Sequence, residues 1–416
     1  MNTAIMRVAA IGLLAVTSST LFAQDAKNVI LMVSDGIGFN GWEAAKYYQG
    51  GLPYDNDDFK FYGMTHYMAG DGYDPAAFWS DFNYQHQNAT DSAASGTSLN
   101  TGIKTYPGAI SVDLDQNPVP TLAEIASGMG RATGAVSSVN YNHATPAVVD
   151  AHNVSRNNYG QIAADMLASD LDVIMGGDSR DPGEPQIYQD AAAAGFTVVN
   201  DNDLTHWDDL ADGDGSFQGG AMPTKLFGGF DGATLDGRAK PTLETMTKAA
   251  LSVLEQDDDG MYLMVEGGAV DWNNHGKNMT NMLREQVDFD NSVQAVMDWV
   301  EENSSWDETL LIVTSDHETG AIWGPNEGEY NNVVDNGVGT MPGHSYNSGS
   351  HSNALVPLWA RGVGASDFDA LIDGFDNTAA DFWTQFGGAN GWDGSFVDNT
   401  DVFTVINQNI PEPTSI

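Results

Sequence analysis

Five short segments of this chain set acidic, imidazole or hydroxyl side chains close behind apolar runs. The run Asn28–Val33 ends in Ser34-Asp35-Gly36, which delivers a carboxylate into a glycine turn. Asp35 can face a site there, although any strand that closes on Asp-Gly does the same as a plain turn. Asp91-Ser92-Ala-Ala-Ser-Gly-Thr reads as the start of a helix with Ser92 in its first turn. Free backbone N–H groups and the helix dipole favour an anion at such a place. Ser92 is therefore either an ordinary cap or a nucleophile whose hydroxyl a metal activates. The Gly-x-Ser-x-Gly elbow of other hydrolases is absent around it.

The third segment, Asn142-His143-Ala-Thr145-Pro146, follows the apolar run 132–139, so His143 and Thr145 can face one site. Arg156 comes soon after, in a chain with few arginines. Its planar fork suits two phosphate oxygens, or a salt bridge to one of many surface carboxylates. Glu266-Gly-Gly-Ala-Val-Asp271-Trp272-Asn-Asn-His275 is the strongest local signal. Asp271 and His275, four apart, share a metal if the segment coils. Zinc takes imidazole nitrogen with carboxylate oxygen, whereas a harder ion prefers oxygen ligands such as Glu266; solvated loop acids are the plain alternative. The fifth segment ends another apolar run in Asp316-His317, and His351 precedes a further one. One histidine alone would be a structural or surface residue; their joint appearance carries the argument.

Strands and helices must hold these groups. The sequence predicts strands at 28–33, 132–139, 172–175, 261–265, 309–314 and 354–359, and helices at 121–129, 159–168, 241–255 and 279–302. In the last helix Met279, Met282, Leu283, Val293, Val296, Met297 and Val300 recur near 3.6 residues, a core-facing stripe. This alternation predicts an α/β layered sandwich with a central, mostly parallel sheet, whose function gathers at the strands' C-terminal ends. Stretches 201–240 and 325–350, rich in Gly, Asp and Asn, are expected as surface excursions. Asp212-Gly-Asp214-Gly lacks the glutamate of a calcium loop and is read as solvated. Residues 365–416 are expected to form a final helix-and-loop region.

At 416 residues with 41% hydrophobic side chains, the chain can bury a large core. Residues 1–23 read as a secretory signal with Arg7 its only charge, an apolar stretch from Val8 to Val16 and cleavage near Ala23; residues 24–416 are then one catalytic domain. No later run reaches the 18 or so apolar residues of a membrane span. The expected product is periplasmic or secreted. It has no cysteine, so size and metals replace disulfides. A net charge of −43 argues against a nucleic-acid partner and predicts that salt is tolerated or preferred, as in a marine or saline habitat.

The ordered series strand-Asp35-Gly, Asp91-Ser92-Ala, His143-Ala-Thr145-Pro-Ala then Arg156, Glu266-Gly-Gly-x-x-Asp271-x-x-x-His275, Asp316-His317-Glu and late His351-Ser resembles the alkaline phosphatase family from about residue 27 to 360. The resemblance implies a phosphate monoesterase of broad range, acting through a phosphoserine, with two Zn²⁺ and one Mg²⁺, usually as a homodimer. It implies that Asp271, His275 and His351 hold the first zinc, and Asp35, Asp316 and His317 the second. Asp35, Thr145 and Glu266 would bind magnesium, Ser92 would be the nucleophile and Arg156 the phosphate clamp. His143 and Trp272 stand where the enterobacterial pattern has Asp and Lys, and look like the marine cold-adapted branch. His143 is then expected to reach magnesium through water, and Trp272 to lie over the substrate. A sulfatase would need a convertible Cys or Ser with Pro and Arg nearby, which Ser92-Ala-Ala-Ser does not offer. Phosphodiesterases of the superfamily typically lack the Thr145 and Glu266 pair. A non-enzymatic acidic metal-binding protein would explain the charge but not Ser92 with Arg156.

Overall fold

In the computed structural model, which describes residues 25–179, 186–200, 204–230 and 241–410, the run Asn28–Val33 is a fully buried strand, β1. Its side chains alternate between layers: Ile30 and Met32 join one hydrophobic cluster, Val29, Leu31 and Val33 another. A strand apolar on both faces needs cover on both sides. Ten more strands complete the sheet: β2 (Lys60–Thr65), β3 (Ala132–Asn140), β4 (Val173–Gly177), β5 (Thr197–Val199), β6 (Leu226–Phe230), β7 (Met261–Glu266), β8 (Thr309–Thr314), β9 (Val356–Gly362), β10 (Gly374–Phe375) and β11 (Ser395–Asp398). Their spatial order is β10-β11-β2-β9-β8-β1-β7-β3-β4-β6-β5. From β8 across to β5 every pairing is parallel. On the other side β9 runs antiparallel to β8 and β2, and β10 to β11. The mostly parallel, helix-covered sheet is thus the predicted one.

Helix Met279–Asn303 buries the whole stripe read from its spacing and adds Phe289. With Leu243–Leu254 it covers the Ile30 and Met32 face; Leu122–Gly128, Tyr159–Ala168 and Thr400–Asn409 cover the other. Strands 28–33 and 309–314 and helix 159–168 match their predicted bounds. Other ends shift slightly where a cap decides them. Thr121, for example, accepts from Glu124 N while Glu124 bonds back to the Thr121 N–H, so the helix starts at Leu122.

The 201–240 stretch contributes more than surface. Helix Leu204–Ala211 buries Trp207 and Leu210, and β6 lies inside the sheet. Its Gly228-Gly229 looks like loop composition but serves packing: a Cβ on Gly228 would stand 2.4 Å from the Trp207 ring. Asp212 and Asp214 sit in an exposed turn in which each accepts the N–H two residues on. Residues 325–341 are largely exposed, and Ser345–Tyr346 pairs with Ile322–Trp323. The final region holds strands as well as helices, since β11 pairs with β2. Among the described residues no helix is long and apolar enough to cross a membrane. The 1–23 leader and its cleavage point lie outside the described residues.

Candidate active site and its cation-binding clusters

Three adjacent parallel strands, β8, β1 and β7, end level with one another, and β3 beside β7 runs three residues past that level to Asn140. Val33 is in register with Thr314 and Glu266, and Glu266 with Ser137. Asp316 therefore leaves β8 beside Asp35 leaving β1, Glu266 closes β7, and His143 and Thr145 follow β3. Gly36 makes the first turn possible. It has φ +70, and a Cβ there would meet Asp271 Oδ1 at 2.6 Å and Thr319 Oγ1 at 2.8 Å. The turn is pinned by Gly36 N donating to Asp316 Oδ1 at 3.1 Å.

The segment after Glu266 does coil. Helix Ala269–His275 sets His275 Nε2 3.4 Å from Asp271 Oδ2. A two-stranded ribbon, Glu318–Thr319 with His351–Ser352, brings His351 Nε2 to 3.1 Å from His275 Nε2 and 3.6 Å from Asp271 Oδ1. His317 Nε2 lies 3.5 Å from Asp35 Oδ1, 3.3 Å from Asp316 Oδ2 and 3.1 Å from Ser92 Oγ. Three donor groups result: Asp271 with His275 and His351, Asp35 with Asp271 and His317, and Asp35 with His143 and Glu266. Asp35 is shared, as expected. Asp271 also reaches the middle group, which the sequence reading gave to Asp35, Asp316 and His317.

The second ring nitrogens fix the tautomers. A backbone carbonyl only accepts, so His275 Nδ1 donates to Gly349 O at 2.9 Å and His351 Nδ1 to Thr90 O at 2.6 Å. Their Nε2 lone pairs are thereby turned towards each other, an arrangement that calls for a cation between them. Thr319 Oγ1 donates to Asp271 Oδ1 at 2.6 Å, which leaves it free to accept from His317 Nδ1 at 3.3 Å.

The carboxylates make the same demand. Asp35, Glu266, Asp271 and Asp316 are all buried. Among the described residues both oxygens of Asp35, Glu266 Oε1, Asp316 Oδ2 and Thr145 Oγ1 are buried without a hydrogen-bond partner. Burial, then the charges of Asp316, Asp271 and Glu266, pushes the Asp35 carboxyl well above its ordinary range. Burial likewise raises Glu266 and Asp316 to about 7. Burial holds His317 well below its usual value, so its ring is neutral and can ligate. Converging buried acids with neutral imidazoles are stable as anions when divalent cations sit among them, and the donor set fits zinc and magnesium.

Ser92 opens helix Ser92–Thr101, but Asp91, not Ser92, is the cap; its Oδ1 accepts from Ala94 N at 3.1 Å. Asp91 Oδ2 also takes Arg156 Nη1 at 2.9 Å, so the cap aims the guanidinium beside Ser92. Arg156 Nη2 lies 3.3 Å from His143 Nε2, and the Trp272 ring meets His143 edge to face at 5.5 Å. Every site residue read from the sequence thus lies in this one constellation or on its rim. Supporting groups were missed: Asp91, Thr319, Thr90 and Ser137, whose hydroxyl donates to Glu266. Asp91 lies inside a motif, Thr90 and Thr319 directly adjoin one, and Ser137 lies within an apolar strand run where nothing marks it.

The alkaline phosphatase family profile matches residues 26–353. Alkaline phosphatase 3 of Bacillus subtilis (strain 168) is 32% identical over 324 residues, a match covering 74% of this chain and 64% of that relative. The match thus spans just under two thirds of that protein's length. Alkaline phosphatase of Escherichia coli (strain K12) is 31% identical over 350 residues, 72% of this chain and 71% of the relative. Among solved structures, alkaline phosphatase from the Antarctic bacterium TAB5 superposes with a TM-score of 0.69 at 26% identity, covering 93% of this chain and 98% of that one. A histidine-to-glutamate mutant of it, with magnesium bound in its M3 site, gives 0.67 at 26% identity, covering 94% and 99%.

Proposed function

The chain belongs to the alkaline phosphatase family, and from that premise we propose that it hydrolyses phosphate monoesters through a phosphoserine at Ser92. The observation that carries the reading is the placement of Ser92. Its hydroxyl sits at a helix start, 3.1 Å from His317 Nε2, with Arg156 held beside it by Asp91. Asp271, His275 and His351 would hold one zinc, and Asp35, Asp316 and His317 a second. Asp35, Thr145 and Glu266 offer the oxygen-only set that suits magnesium, the metal bound in the M3 site of the TAB5 mutant. That set also favours a monoesterase over a phosphodiesterase of the same superfamily. A guanidinium only donates, so His143 Nε2 is taken by Arg156, which supports a water-mediated role for His143 towards magnesium.

When bound, the ions supply positive charge to the phosphoryl oxygens and lower the pKa of a coordinated hydroxyl. Arg156 holds two phosphoryl oxygens, and the first-turn N–H groups face the same anion. Ser92 Oγ forms the new bond to phosphorus as the bond to the alcohol oxygen breaks on the opposite side. Water then cleaves the phosphoserine and restores the hydroxyl. Trp272, beside His143, would lie over the bound phosphate. Because the grip is on the phosphoryl group, the range of alcohols is broad. Export and a homodimer belong to the same proposal.

Release of p-nitrophenol from its phosphate ester should be abolished by a chelator and restored by zinc with magnesium. Ser92→Ala should lose turnover by on the order of 10³-fold or more while still binding metal and phosphate. A near-full rate in that variant would remove Ser92 as the nucleophile.

A further inference from the structure

Solvent reaches the donor groups unevenly. The His317 side chain is 0% exposed, His351 15% and His275 39%, so the constellation opens on the His275 side. Next to that side lies a groove of about 510 Å³ lined by Phe82, His86, Lys277, Glu327 and Tyr346 among others. It shares walls with the site. Lys277 follows His275 by two residues, and its side chain passes Gly349, whose carbonyl orients the His275 ring. Tyr346 OH donates to Asn274 Oδ1 at 2.9 Å, one residue before His275. The chain leading from Phe82 and His86 reaches Thr90, whose carbonyl orients His351.

The charge in this groove is unusual for the molecule. The chain has 15 Lys and Arg against 58 Asp and Glu, and several of its cations are paired: Lys46 with Asp55, Lys60 with Asp369, Lys104 with Asp398, Lys248 with Glu244. Lys277 forms no ion pair with any described residue and is exposed at the groove wall. A left-handed backbone, φ +53, carries it there. His86 adds a second nitrogen base, Phe82 and Tyr346 add half-buried aromatic rings, and Glu327 is the one carboxylate among these residues.

We propose that this groove receives the leaving part of the substrate, and that Lys277 favours leaving groups that pair an aromatic ring with a further anionic group over uncharged ones. The inference rests on the phosphatase reading, in which the leaving atom lies on the far side of phosphorus from Ser92. Ser92 stands at the buried His317, so the far side is the open, His275 side, where the groove begins. In a protein this acidic, a second negative charge on the substrate is otherwise repelled. An ammonium at the rim with no ion pair among the described residues reverses that locally, while the rings cover an aromatic face.

Phenyl phosphate and 4-carboxyphenyl phosphate differ by that one charge. With the full-length, metal-loaded protein at low salt, the ratio of kcat/KM for the charged over the uncharged ester should fall about fivefold in Lys277→Asn, and further in Lys277→Glu. Asn tolerates the left-handed backbone, so the first variant folds if either does. Molar NaCl should shrink the difference. A second arm measures binding of 4-hydroxybenzoate against phenol by saturation-transfer NMR. The variants should weaken the former selectively. If folded variants keep both the rate ratio and the binding difference, the inference is wrong. If the native protein cleaves neither ester, the phosphatase reading fails, and the binding arm alone decides whether the groove takes an anionic aromatic.

Discussion

Asp271, like Asp35, belongs to two of the three donor groups, and it joins the exposed group to the buried one. Thr319 sets its orientation through a 2.6 Å hydrogen bond and also stands at His317 Nδ1. Removing that hydroxyl without changing shape should loosen both groups. Thr319→Val should weaken zinc affinity by about 10-fold or more, and Thr319→Ser should restore most of it. Metal titration against a competing chelator reads this directly; equal affinities in all three proteins would show that Thr319 only fills space. Individual residues were legible in the sequence where a motif spaced them closely, as with Asp271 and His275. Thr319, one residue past the Asp316-His317-Glu motif, was not legible, since a hydroxyl's partner is chosen by what folds against it.

At the scale of elements, the helix Phe39–Gln49 buries a carboxylate outside the site. Glu43 accepts from Tyr47 OH at 2.8 Å, and burial raises its pKa from 4.5 to about 7. The unfolded chain ionises this group near 4.5, the folded one only near 7. Stability from this group is therefore lost as pH rises through that window. Above it the cost is of the order of 3 kcal/mol. Glu43→Gln keeps an acceptor for Tyr47 and removes the charge. Its midpoint of thermal unfolding should match the native protein near pH 4 to 5 and exceed it at pH 8. Parallel pH profiles for the two proteins would refute this. Other elements act by connection: Glu318 accepts from Ala321 N, Ile322 N and the Ser352 hydroxyl, tying the His351 ribbon to the turn after His317. Strands β1 and β8 were legible because unbroken apolar runs admit few alternatives. Strand β6 was not, because Gly228 and Gly229 make room for Trp207 and Tyr188, and a requirement for space looks like a loop in composition.

For the whole molecule, a net charge of −43 with 15 Lys and Arg leaves a surface that repels itself. Raising NaCl from low to molar concentration should raise the unfolding midpoint by roughly several degrees, since screening shortens the range of that repulsion. A falling midpoint or falling activity over the same range would overturn the expectation. A phosphate ester at the proposed site would not share in this repulsion. Its attraction would be local, from Arg156 and the cations that the buried carboxylates and imidazoles fit.

The sequence by itself determined the layered fold and the short motifs whose acids and imidazoles lie together, because strand runs and motifs are local patterns that survive without tertiary contacts. Which donors share a cation, how each imidazole is turned and which side of the constellation meets solvent were decided only in three dimensions. Those properties depend on groups hundreds of residues apart: Thr90 behind His351 and His317 beside Ser92. Nothing in the spacing of one segment encodes the distance to another; the neighbouring C-terminal ends of four parallel strands set it.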